Sequence, residues 1–236
     1  PFVLQSAETM KATVDALNPY LPKQEKASET TLIIGTVKGD VHDVMLDELS
    51  GELFPTGVNV NYLGKLPSVQ HTNAHCRYNQ RQFIIEEITG VVNDIKLSKG
   101  RIIIDDLHKR DQHIQITLDL IGDAGRVMEI ISAKPLELIQ KLGLPLKNAQ
   151  GLSTTSVLLK FPLESKVTLK QVQVEARSKF MNAQAQLNGQ TSYPIQLKQG
   201  NLDLFVDSDH LYIEGSASLN DMPTQLEWTE YFNQTA

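Results

Sequence analysis

The feature that most constrains this chain is period-two alternation of apolar and polar residues, clearest between Tyr193 and Phe232. There Leu202, Leu204 and Val206 alternate with Asp203, Phe205 and Asp207, and the chain turns on Asp207-Ser208-Asp209. It returns through Leu211, Tyr212, Ile213 and Glu214, breaks at Gly215, and runs out again to Leu226 and Trp228. Alternation bounded by Gly, Asp and Ser is the signature of strands and hairpins, so an antiparallel meander is expected. One face of each strand is apolar and must be covered by something.

The same rhythm recurs upstream. TLIIGTVKGDVHDVML and GVNVNYLGKLP read as strands, and Gln82 to Leu107 reads as three short strands turning at Gly90 and at Ser98-Lys99-Gly100. His113 to Leu120 places Ile114, Ile116, Leu118 and Leu120 on one face. Leu152 to Phe161 and the run containing Val172, Val174 and Ala176 are further strands, whereas Ser68 to Tyr78 and Asn182 to Thr191 read as polar loops. Near residues 124–143 the period changes: Val127, Ile130, Ile131, Leu136, Ile139 and Leu142 fit short helices, with Pro135 suited to a first turn and Gly143 and Pro145 as stops. Phe2-Val3-Leu4 reads as a strand end and Ala7 to Leu17 has weak helical spacing, stopped by Pro19 and Pro22. No βαβ rhythm is present.

The 236 residues allow one large β-rich domain or two smaller ones. A formal charge of −6 excludes a nucleic-acid backbone as the expected partner, because no basic excess exists to release counterions. The single cysteine, Cys76, rules out an internal disulfide and is silent about redox compartment. The chain begins at Pro1 in mid-pattern and is read as an excised piece of something longer, with any targeting segment or anchor outside it.

Candidate chemistry is sparse. Gly35 to Val44 resembles the D-x-H-x-x-G signature of corrinoid-binding domains at Asp40 and His42, but Met45 replaces the glycine that starts the helix beneath the corrin. An echo of this stretch, G-x-V-x-D-[VI]-x-L, recurs from Gly90 to Leu97 without the histidine, which suits a strand-forming unit used twice. His71, His75 and Cys76 have helical zinc spacing yet lie in a polar stretch, and no second ligand pair follows. Glu86-Glu87 and Asp105-Asp106 are strand neighbours that point to opposite faces, and Asp207 and Asp209 suit a turn. With no G-x-S-x-G elbow, Walker loop or H-E-x-x-H, no enzyme, metal or cofactor is expected.

Periodicity alone favours a β-sandwich over an open sheet. The order of segments, however, resembles a known family. GVNVNYLGKLPSV, FIIEEITGVVNDIKLSKGRIIIDDL, ISAKPLELIQKLGL and GLSTTSVLLKFPL are followed by a closing pattern on Leu211, Ile213, Gly215, Ala217, Leu219, Pro223, Leu226, Trp228, Glu230 and Phe232. This run is similar to the YhdP-type domain of the AsmA-like group of Gram-negative envelope proteins, related to TamB. It covers Gly57 to Phe232; residues 1–56 match loosely and would be the end of a preceding unit plus first strands, with 57–236 the β-groove domain.

The resemblance implies a mainly β fold: an extended, twisted antiparallel sheet curved into a groove (a β-taco), with the helical insert at 124–143 capping one end. It implies a segment of a periplasm-spanning bridge carrying phospholipid between inner and outer membranes and supporting outer-membrane integrity. Its partners would be phospholipid acyl chains, neighbouring groove segments of the same long chain, and the inner membrane through an anchor outside this stretch. Candidate groove residues are Ile114, Ile116, Leu118, Leu120, Leu202, Leu204, Val206, Leu211 and Ile213, none of them catalytic. The alternatives are a non-transporting structural or protein-interaction β-module of the envelope and, more distantly, a corrinoid-binding domain.

Overall fold

The computed structural model of the protein describes residues 32–40, 43–61, 67–109, 111–133, 146–164, 171–187 and 195–232. The readings made above for residues 1–31, for the second half of the helical insert from Pro135 to Leu142, and for Tyr193 lie outside them.

Alternation dominates the outcome. The described residues form a 12-stranded antiparallel sheet. Its strands are β1 (Leu32–Asp40), β2 (Asp43–Leu53), β3 (Val58–Val60), β4 (Val69–Asn79), β5 (Phe83–Val92) and β6 (Ile95–Asp105). They continue as β7 (His113–Asp123), β8 (Leu146–Pro162), β9 (Gln173–Leu187), β10 (Ile195–Val206), β11 (His210–Leu219) and β12 (Met222–Tyr231). Neighbours in sequence are neighbours in the sheet, except that β4 pairs with β2 along one half and with β3 along the other. Among the described residues one helix, α1 (Ala124–Ser132), is present, and it follows β7 directly, inside the expected insert.

The sheet is open and curled, the groove-type architecture, and not a sandwich. Among the described residues, every substantial contact between elements joins adjacent strands or joins α1 to β7 and β8. Among the described residues no second sheet lies over the first. Curvature has a local cause in bulges. His71, Glu87, Asn148, Asn182 and Gln199 take left-handed backbone (φ 50–55°), and register shifts fall beside His71 in β4, Asn148 in β8 and Gln199 in β10. Each inserted residue bends its strand, so bends repeated across the sheet curl it.

Several expectations needed correction. Ser68 to Tyr78 is not a loop: β4 occupies Val69–Asn79, and the bulge at His71 resets the alternation that would have revealed it. Gln82 to Leu107 holds two strands, because the turn falls at Asn93-Asp94, both left-handed (φ 48° and 64°) as a two-residue hairpin requires. Gly90 and Gly100 sit inside strands instead, where a Cβ would come within 2.8 Å of Val69 Cγ1 and 2.9 Å of Ile88 Cβ respectively. β9 continues to Leu187 through the stretch read as a Gln-rich loop. β11 runs unbroken through Gly215, whose φ of 141° keeps the ladder where a side chain would collide with the Asn201 carbonyl. The echo is a hairpin in both copies, with innermost pairs Asp40–Asp43 and Val92–Ile95, one position out of phase.

Candidate functional site: the inner face of the sheet

The register places apolar side chains opposite one another, strand after strand. Leu53, Cys76, Ile85, Ile102, Ile116, Leu159 and Val174 form one continuous row from β2 to β9. Beside it run Tyr78, Phe83, Ile104, Ile114 and Phe161, the Tyr78 and Phe83 rings tilted at 6.4 Å. A third row joins Leu118, Val157, Ala176, Val206 and Leu211, and a fourth joins Leu97, Leu120, Thr155, Ser178, Leu204, Ile213 and Trp228. Eight of the nine candidate groove residues lie in these rows, and Leu202, two residues before Leu204 in β10, shares their face.

The face is not uniform along the strands. At the end marked by Phe83, Ile104, Ile114 and Phe161 every lining side chain is only partly buried. Towards α1 the residues become smaller and buried: Ser153, Thr155, Ser178, Ala183 and Ala217, with Ile95 2% and Leu97 4% exposed. Small side chains let a curling sheet close on itself, and a buried cluster of Ala183, Leu197, Leu202 and Ala217 results. Of the candidates, Leu202 and Leu211 are thus core, whereas Ile114, Ile116, Leu118, Leu120, Leu204, Val206 and Ile213 are half-buried. The hydroxyls on this face are satisfied internally: Thr155 Oγ1 and Ser178 Oγ are 2.8 Å apart, and Ser153 donates to the Gly122 carbonyl at 3.0 Å.

α1 lies at the small-residue end, against β7 and β8. Asp123 caps it by accepting from the Gly125 and Gly151 amides at 2.8 and 3.0 Å, which also ties it to β8. Its outer residues reach the β5–β6 turn: Asn93 Nδ2 donates to Glu129 Oε2 at 2.9 Å, and Arg126 Nη2 lies 3.3 Å from Asp94 Oδ2.

The outer face is polar and laced with ion pairs. Arg77 bonds Glu86 at 2.6 Å, Lys179 pairs with Asp203 at 3.1 Å, and the Arg177 guanidinium lies 4.6 Å from the centre of the Phe205 ring. His75 sits here, 3.3 Å from Glu52 and stacked on Phe54 at 4.5 Å. His71 is exposed, and Cys76 faces inward, where burial pushes its thiol up from the ordinary value. The His71, His75 and Cys76 spacing is therefore divided between faces of a strand. Among the described residues no group of three or more His, Cys, Asp or Glu converges to hold a metal ion, and no helix is long and apolar enough to cross a membrane.

Sequence reasoning missed Phe83, Ile85, Ile102, Ile104, Leu159 and Phe161. FII and RIII run without alternation, since Ile84 and Ile103 pair on the outer face, so their phase is visible only once the register is known.

No family model and no solved structure matches the chain. It is similar over short stretches to corrinoid proteins. Trimethylamine corrinoid protein 2 of Methanosarcina acetivorans is 39% identical over 67 residues, 28% of this chain and 31% of that protein. Dimethylamine corrinoid protein 1 of the same organism is 36% identical over 66 residues, 28% of this chain and 31% of that protein. Methionine synthase of Mycobacterium tuberculosis is 51% identical over 45 residues, 19% of this chain and 4% of that protein. The chain thus spans under a third of the length of these curated relatives. Where the corrinoid-type motif begins, Asp40 ends β1 and pairs with Asp43 at the start of β2; His42 lies outside the described residues.

Proposed function

We propose that this chain is a lipid-carrying segment without chemistry of its own, holding phospholipid acyl chains along the inner face of its sheet. The observation that carries the reading is the uncovered face: apolar rows continue from β2 to β9, and no described element lies over their wide end. Acyl chains laid there remove apolar surface from water at about 25 cal/mol per Å². Head groups would remain at the wet mouth. The family resemblance read from Gly57 to Phe232 supplies the setting: a periplasmic bridge of AsmA-like type, joined to further groove segments and anchored in the inner membrane elsewhere.

The test is native mass spectrometry and lipid extraction of the purified chain. Co-purifying phospholipid is expected, and Leu118→Glu should abolish it while the circular dichroism spectrum keeps its strand signal. A lipid-free wild-type protein that stays lipid-free after incubation with phospholipid vesicles would overturn the reading. It would leave the non-transporting structural or protein-interaction module.

A second reading has its own support, in the likeness to corrinoid proteins and in Asp40-x-His42. Against it stand the strand at Asp43–Leu53, where the corrinoid motif needs a helix, and Met45 in place of its glycine. A shift in the visible spectrum of cobalamin on adding the protein, lost in His42→Ala, would establish it.

A further inference from the structure

The outer face carries a charge pattern that the inner-face reading leaves unused. Strands β6 to β9 hold seven Lys and Arg against four Asp and Glu, whereas β10 to β12 hold one against four. A chain of net charge −6 therefore presents a basic band. All four acidic groups of the band are engaged within the chain. Gln82 donates to Asp105 at 2.6 Å, Ser156 to Asp119 at 2.6 Å, the Gly125 amide to Asp123 at 2.8 Å and Arg177 to Glu175 at 3.1 Å. The exposed Lys96, Lys99 and Lys160, by contrast, have no carboxylate within ion-pair distance among the described residues.

Apolar side chains lie among these cations. The register sets Val91 opposite Lys96, Lys96 opposite Ile121, and Leu152 opposite Met181, with Leu152 two residues from the Thr154 that faces Ile121. Val91 and Ile121 are 38% exposed, Leu152 43% and Met181 50%. One such residue alone means nothing, but four on neighbouring strands of one face form a patch. Spare cations beside apolar tips match the layers of a bilayer surface, phosphates first and acyl chains beneath.

We propose that the outer face of β5 to β9 docks on an anionic phospholipid bilayer, Lys96, Lys99 and Lys160 meeting head-group phosphates while Val91, Ile121, Leu152 and Met181 enter the layer beneath. Charges are screened over about 8 Å in physiological salt, so the local band and not the net charge decides the encounter. This contact goes beyond the lipid-carrying reading and does not need it, since it uses the opposite face of the sheet.

The test is sedimentation of the purified full chain with vesicles, either phosphatidylglycerol mixed with phosphatidylcholine or phosphatidylcholine alone. Binding is expected to the mixed vesicles only, and should weaken as salt is raised. Lys96→Gln, Lys99→Gln and Lys160→Gln combined should weaken it about a hundredfold, at roughly fivefold per lysine. These lysines make no ion pair among the described residues, so the triple variant should keep the wild-type melting temperature. Ile121→Ser with Met181→Ser should weaken binding about tenfold. Leu118→Glu, which strikes the inner face, should leave it unchanged.

No binding to either vesicle, equal binding to both, or no loss in the triple variant would overturn the proposal. Full binding by the double serine variant would overturn the seating of the apolar side chains. Binding lost in a folded Leu118→Glu protein would assign the contact to the inner face and overturn the outer one. Binding kept by a chain that never takes up lipid would remove the lipid-carrying reading and leave this contact standing.

Discussion

Single side chains fix the ends of strands here more than they perform chemistry. Asp207 accepts from the Asp209 amide, the His210 amide and His210 Nδ1, each at 2.9 Å through one oxygen. Burial pushes its carboxyl up, but the two backbone donors and the His210 ring outweigh this and hold it below the ordinary value. A depressed carboxylate contributes stability above its unfolded value and loses it as pH falls through the folded one. Asp207→Ala should therefore cost about 1–2 kcal/mol at neutral pH, and the difference from wild type should shrink on acidification below about pH 4. Urea melts at pH 7 and pH 3 check this. Tyr212 is the opposite case: donation to Glu214 at 2.8 Å, with some burial and the Glu214 and Glu227 charges, pushes it up to about 12. Its contribution is present below the ordinary tyrosine value near 10 and is lost as pH rises towards 12. In an ultraviolet titration Tyr212 should ionise late, beside Tyr78, which burial also raises, and Glu214→Gln should bring Tyr212 back towards the rest.

At the scale of elements, the sequence showed strands well and their boundaries poorly. Alternation at Ile114, Ile116, Leu118 and Leu120 located β7 and its inner face, and Asp207-Ser208-Asp209 located a turn. Glycines misled because here they answer bulk across the sheet: Gly100 makes room for Ile88 and Leu118, while the true turn uses Asn93-Asp94. Bulges hid β4, since a residue such as His71 shifts the phase and leaves Cys76 inward and His75 outward with no sign in composition. Whether the apolar face was a sandwich core or a groove lining was not legible, because both have period two. That depended on which rows meet a second layer. Gly215→Ala should test the backbone cost directly, destabilising by about 1–3 kcal/mol through its φ of 141° and the Asn201 carbonyl beyond it. Thermal melts would read this, with Gly57→Ala as a left-handed control in open space.

At the scale of the molecule, the main path of the sheet ends, among the described residues, at β1 and β12. β12 bears Pro223, Glu227 and Glu230, the substitutions that discourage indiscriminate strand addition.

The strictly sequential strand order has a further consequence, for how the molecule comes apart. Each strand from β4 onward leans on the two beside it and on little else. Such an array behaves as a row of nearest-neighbour couplings, more like a stack of repeats than a globule. Amide hydrogen exchange should therefore be slowest in β7 to β9, where the ladders are longest, and should quicken stepwise towards β12. A flat profile that collapses all at once would mean the curled sheet is held by something beyond its ladders. A graded one would make this chain a zipper, able to loosen at its rim while its middle stays shut.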